Sequence, residues 1–403
     1  MGWASWSRKS QDPVAAREPL GVDLNASRAR AAHGRAGRNK IFVLDEPLVD
    51  LILAVSLEKK VAEVGQAALT LCRRMPHVVC AGYLPLLGRP HEFKSGRHAL
   101  NAEAALALAF DRLRISCRGH DGFGLALPTY LTVPQVSLLH ALAEGAKLKI
   151  RGTTTTPLAL AAERATHFLH GQTGETELKP GRSISPTSVL IVDSDDHALT
   201  ATVVRLAENE VRTLGSVAFP RLSTKFWRER LLDAISDRCV RMCRRDPRDS
   251  AEAEQLLFDQ LEECLDRTKT GQKVSISIRS THWYQDLVLA PSDLDGFCAQ
   301  LCRQAVDEVR NLLSNLNEPE PPRAVWLTHD AGRLPGLAAE LHHNMTERTN
   351  VRVLHPEAAA AATANLVERW ATGELPRTHL DAVIPLPVRA DARVATRSSV
   401  VKR

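Results

Sequence analysis

Four apolar residues, Val189 to Val192, stop at Asp193, give way to the polar triplet Asp195-Asp196-His197, and resume as an alternation through Leu199, Ala201 and Val203. That pattern predicts a buried strand, a tight turn and a returning strand. Leu20-Gly21-Val22-Asp23-Leu24-Asn25-Ala26-Ser27 has the same form, with Arg28 to Ala32 as its partner strand. Each hairpin puts a carboxylate where the turn begins, and the two lie about 170 residues apart. Repetition on this scale predicts two similar lobes facing each other across a cleft.

Other strands are predicted at Lys40 to Leu44, Leu51 to Ser56, Gly124 to Pro128, Leu148 to Arg151, Val211 to Ala218 and Ala324 to Leu327. The alternation Val-Ser-Ile-Ser-Ile at 274–278 pairs with Trp283 to Leu289. Helices are predicted at Val64 to Met75, Ala99 to Arg114, Pro134 to Gly145, Pro157 to Ala165, Phe226 to Arg244 and Ala251 to Arg267. Two more run from Asp293 to Leu313, with Ser292 as cap, and from Ala358 to Trp370. Thr328 to Gly332 reads as a loop before a helix beginning at Leu334. Strands alternating with helices in each half give an α/β class. The polar Gly/Pro stretch Gly171 to Pro186 marks the boundary. The expected organisation is a disordered segment 1–19, lobe I at 20–186, lobe II at 187–356, a helix returning to lobe I at 357–372 and a basic tail at 373–403.

Composition changes this picture little. The net charge is +5, and Val388 to Arg403 alone carries +4, so the body is nearly neutral and no nucleic-acid partner is expected. No apolar run reaches the ~18 residues of a membrane helix, and the first residues lack the apolar core of a signal peptide. A cytoplasmic protein is expected. Cys239/Cys243 and Cys298/Cys302 sit four apart on helices and read as core residues, without metal-ligand spacing.

With the elements in this order, the chain resembles the nucleotide-binding domain of the heat-shock protein 70 (DnaK-type) family from about Leu20 to Trp370. Gly21-Val22-Asp23-Leu24 is similar to that family's first phosphate hairpin, and Val189 to Thr200 to its second. Leu127-Pro128-Thr129-Tyr130 with Gln135 is similar to its V-P-A-Y…Q segment, and Thr156-Pro157-Leu158-Ala159 to its E-P-T-A helix start. Asp293 to Cys298 resembles its R-F-E-E-L-C helix, Gly332 to Pro335 follows its adenosine loop, and His355-Pro356-Glu357 resembles its N-P-D-E segment. The resemblance implies a two-lobed actin-like ATPase fold (ribonuclease H-like), with ATP and Mg²⁺ as ligands. The tail after Trp370 is too short for the family's peptide-binding domain, so only the nucleotide-binding part is expected.

The departures fall on the chemistry. The family's second hairpin reads D-L-G-G-G-T-x-D, where glycines let backbone N–H groups reach a polyphosphate. Here Asp195, Asp196 and His197 replace those glycines, with Ala198 and Thr200 after them. Asn25-Ala26-Ser27 replaces G-T-T, His329-Asp330 replaces the adenosine loop's G-G, Thr156 replaces the E-P-T-A glutamate, and the family's catalytic lysine falls on Leu84. Asp23 and Asp193 remain as vestigial catalytic candidates. Asn25, Ser27, Asp195, Asp196, Glu262 and Arg333 are the nucleotide-binding candidates. Asp193, Asp195, Asp196 and His197 form a candidate metal set, with His329 and Asp330 across the cleft; the plain alternative is a solvated turn. The expected function is that of a chaperone-related pseudo-ATPase that binds a protein partner or client. A working ATPase with unusual ligands and a non-catalytic scaffold are the alternatives.

Overall fold

The computed structural model describes residues 18–34, 40–96, 98–120, 122–171, 185–316, 318, 320–379 and 383–386. Most of the N-terminal segment expected to be disordered, of the Gly/Pro stretch and of the basic tail lies outside the described residues. The chain is α/β. Its two large sheets share one plan. In the first, the hairpin Leu20–Leu24/Arg28–His33 is antiparallel, and Leu20–Leu24 then pairs in parallel with Phe123–Leu127, which pairs in parallel with Ile150–Thr155. In the second, the hairpin Thr187–Ser194/Leu199–Leu206 is antiparallel, and Thr187–Ser194 pairs in parallel with Ala324–Leu327, which pairs in parallel with Asn350–Val353. Short strands Thr378–His379 and Val383–Pro385 add to one edge of each sheet.

Two helices lie between the sheets. Ala358–Ala364 packs on the first hairpin, on Phe123–Leu127 and on the helix Thr156–Gly171, and Thr156–Gly171 also packs on Leu199–Leu206 and Glu210–Phe219. Their alanines make the approach possible: Ala161 and Ala360 are both fully buried. Gly21, Gly124 and Gly152 are register partners on three adjacent strands, forming a row without Cβ atoms. A Cβ on Gly21 would lie 2.0 Å from the Ala360 carbonyl oxygen, and one on Gly152 would lie 2.1 Å from the Trp370 ring. Separate apolar cores fill the outer side of each sheet, one against Ala102–Ser116 and Val133–Gly145, the other against Thr224–Cys243, Ala251–Lys269 and Pro291–Asn315. Cys239, Cys298 and Cys302 belong to the second core, and all eight cysteines are free thiols.

Several elements depart from expectation. Residues 66–75 form only the short helix Gln66–Leu69 followed by turns. Gln255, on the Ala251–Lys269 helix, donates to the Leu69 carbonyl and accepts from the amides of Arg73 and Arg74, taking groups that a longer helix would need for itself. The Ala99 start moves to Ala102, because His98–Asn101 is a strand and the Asn101 side chain caps the Ala104 amide. Ser292 is not a cap: the helix starts at Pro291, and Asp293 accepts from the Ala290 amide. His329–Gly332 is a helical turn capped by Thr328, and the next helix, Leu337–Asn344, waits for Gly336 at φ 78°. The last helix is interrupted between Ala364 and Val367. Among the described residues, no helix is long and apolar enough to cross a membrane.

Candidate functional site

The turns of the two hairpins meet. Asp23 and Asp193, at matching places in the two sheets, are close enough that the Asp23 charge raises the Asp193 pKa. Asp193 accepts from the Thr328 hydroxyl at 2.6 Å and from the Ser194 amide. Asp23 accepts from Arg28 Nη1 at 3.2 Å and from the Thr156 hydroxyl at 3.3 Å. The hairpins were expected to face each other across a cleft; their turns are hydrogen-bonded to each other. The Ala26 amide donates to Asp195 Oδ2 at 2.9 Å, and the Asp196 amide donates to Ser27 Oγ at 2.9 Å.

The solvated-turn alternative fails for Asp195, which is 4% exposed. Its Oδ1 accepts from the amides of His197 and Ala198, and the Tyr130 hydroxyl joins Ala26 at Oδ2. Four donors explain how a carboxylate can be buried here. Asn25 is also buried and used locally, accepting from the Ser27 and Arg28 amides. Asp196 pairs with Arg228, and Arg228 also reaches Glu262 at 3.0 Å. Arg333 contacts Glu262 at 2.6 Å and Asp266 at 2.7 Å. The His197 ring stacks edge-on against Tyr130, with centroids 4.6 Å apart.

The candidate metal set therefore does not converge. Each acid already holds protein donors, and His197 faces Tyr130 instead of the carboxylates. Among the described residues, no group of three or more His, Cys, Asp or Glu side chains has the placement to hold a metal ion. His329 and Asp330 contact each other at 3.4 Å, and Arg28 bridges Asp330 to Asp23.

The pattern of pKa shifts follows from these partners. Burial raises Asp195 despite its four donors, and burial raises Asp23 despite Arg28. Against its own burial, Asp330 is held well below the carboxylate range, chiefly by the Arg28 guanidinium. Burial pushes Asp193 up to about 8, the Asp23 charge adding to the rise and the Thr328 hydroxyl opposing it. The folded protein thus keeps a proton that the unfolded chain releases near pH 4, so stability falls as pH rises from about 4 to about 8. Asp193→Asn keeps an acceptor for Thr328 and has no proton to lose. Its melting midpoint should gain on the parent progressively across that window and hold a constant lead above it. A lead independent of pH would contradict this assignment.

Beside the joined turns lies a cavity of about 380 Å³, walled by both halves of the chain. Ser27, Asp196, Glu262 and Arg333 line it, with Arg28, Asp330 and His329, whereas Asp23, Asn25, Asp193, Asp195 and His197 do not. The residues that sequence reasoning missed are three arginines of the cavity wall, Arg28, Arg30 and Arg228. Arg28 contacts Asp23, Asp330 at 2.6 Å and Asp50 at 3.5 Å, and Arg30 grips both oxygens of Asp50. A signal was present: Arg28 and Arg30 are two apart in an alanine-rich strand, hence on one face, and guanidiniums there require buried carboxylate partners. No protein-family model matches the chain, and no curated protein matches it.

Proposed function

We propose that the chain has the two-lobed actin-like ATPase fold of the DnaK-type heat-shock chaperones, with nucleotide chemistry lost, and that it acts in the cytoplasm by binding a protein partner or client. Support for the fold comes from the shared plan of the two sheets, each opening with a hairpin that brings its aspartate, Asp23 or Asp193, to one spot. Support for lost chemistry rests on one observation above all: the Asp195 carboxylate occupies the Ala26 amide, a donor that a phosphate would need. Phosphoryl transfer depends on positioning and charge neutralisation. Here Leu84, where the resemblance implies the catalytic lysine, is fully buried in the apolar core. An unneutralised carboxylate 4 Å from a phosphate charge costs roughly 4 kcal/mol at an effective dielectric near 20, about a thousandfold in affinity.

The cavity favours a second reading, a working site with unusual ligands, because Asp196, Glu262 and Arg333 stand in its wall. Arg228 and Arg333 are engaged by these acids, which leaves little positive charge for a polyphosphate. ATP and Mg²⁺ are therefore weak ligands at most in this account. Phosphate release from Mg-ATP should stay at the background rate. Turnover that is lost in Asp193→Ala would establish the second reading instead.

A further inference from the structure

We infer that Asp195 is a captive anion, a built-in ligand that clasps the two hairpins together in place of an external oxyanion. Its four donors come from three places in the chain. The amides of His197 and Ala198 belong to its own turn, the Ala26 amide to the other hairpin, and the Tyr130 hydroxyl to the segment following strand Phe123–Leu127. Two of the four cross from the first sheet's side to the second's. The acceptor is 4% exposed, so water does not compete for these bonds.

The neighbouring contacts depend on the same closure. The Asp196 amide reaches Ser27 Oγ, the His197 ring lies on Tyr130, and the Ser216 hydroxyl donates to Thr129 Oγ1 at 2.9 Å. Asp195 is also tied from behind, its carbonyl accepting from the Thr224 amide at 2.8 Å, so the side chain is held on a fixed backbone. Donors converging on one carboxylate from separate segments are the arrangement by which proteins hold oxyanions. Here the anion is covalently part of the chain. Its effective concentration at the site is that of an intramolecular ligand, far above any free phosphate. The clasp stands on these contacts alone, whether or not the neighbouring cavity takes a nucleotide.

Cutting the carboxylate away should release the turns and leave a vacant oxyanion site. In Asp195→Ala, hydrogen exchange followed by mass spectrometry should be at least tenfold faster in peptides covering residues 24–30 and 194–200. Millimolar inorganic phosphate should restore much of that protection in the variant and change nothing in the parent. Exchange in the variant equal to the parent's would overturn the clasp. So would phosphate acting equally on both proteins, or on neither. Should Asp195→Ala not fold, Tyr130→Phe removes one donor of the four and keeps the ring. Faster exchange at residues 24–30 in that variant supports the inference, and unchanged exchange overturns it.

Discussion

Arg28→Ala is expected to lose about 3–5 kcal/mol of stability, the range for breaking a buried ion pair by removing one partner. Arg28 is 8% exposed and contacts three carboxylates, Asp23, Asp50 and Asp330, drawn from both halves of the chain. The Asp330 contact is the shortest, with Nη2 at 2.6 Å and Nε at 3.1 Å from one oxygen. Without the guanidinium, these acids keep their burial and lose their counter-charge. Asp50 retains Arg30, while Asp23 keeps the Thr156 hydroxyl and Asp330 the His329 ring, neither of them a guanidinium. The sign with pH follows. Asp330 is depressed in the folded protein, so its contribution is present above the ordinary carboxylate range and is lost as pH falls through the folded value. The variant's deficit should therefore be largest at neutral pH and shrink in acid. Urea midpoints at several pH values measure it, and a deficit below about 1 kcal/mol at pH 7, the size for an exposed pair, would show that Arg28 is not the hub.

Gly21→Ala should be nearly as damaging, at about 3 kcal/mol or more, the upper part of the range for overpacking. The added carbon would sit 2.0 Å from the Ala360 carbonyl oxygen and 2.5 Å from the Ala364 nitrogen. Both are backbone atoms of the helix between the sheets, so no side chain can turn aside. The strand and the helix would have to separate, opening the contact that the buried alanines of 358–364 create. Gly145→Ala is the control, since its added carbon meets nothing within 4 Å. Soluble expression and melting midpoints should separate the two variants clearly. Equal midpoints would mean that the helix does not lie on the glycine row.

Much of the fold was legible because burial is written locally. The run Val189 to Val192 and the alternation at 274–278 are solved within their own neighbourhoods, and their strands fall close to where the pattern put them. Residues 66–75 were misread because Gln255, about 180 positions away, decides which of their backbone groups are free. Thr153 to Thr155 look too polar for a strand, yet they belong to Ile150–Thr155, which is paired on both sides in the first sheet and buried at Thr153 and Thr154, since burial there comes from packing and not from apolar side chains. At the site, the acids were found and their state was not. A carboxylate in a turn reads as solvated until its donors are known, and those of Asp195 include an amide 169 residues away. Arg28 follows the turn by one residue, at the start of a partner strand whose alanines suggest nothing but core.

Calorimetric titration of the full chain with Mg-ATP tests most directly whether the protein's own acids have taken the phosphate positions. The account predicts no saturable heat up to millimolar nucleotide, and binding that strengthens when Asp195 and Asp196 are both changed to Gly. Micromolar affinity in the unmodified protein, unimproved by those two changes, would contradict it.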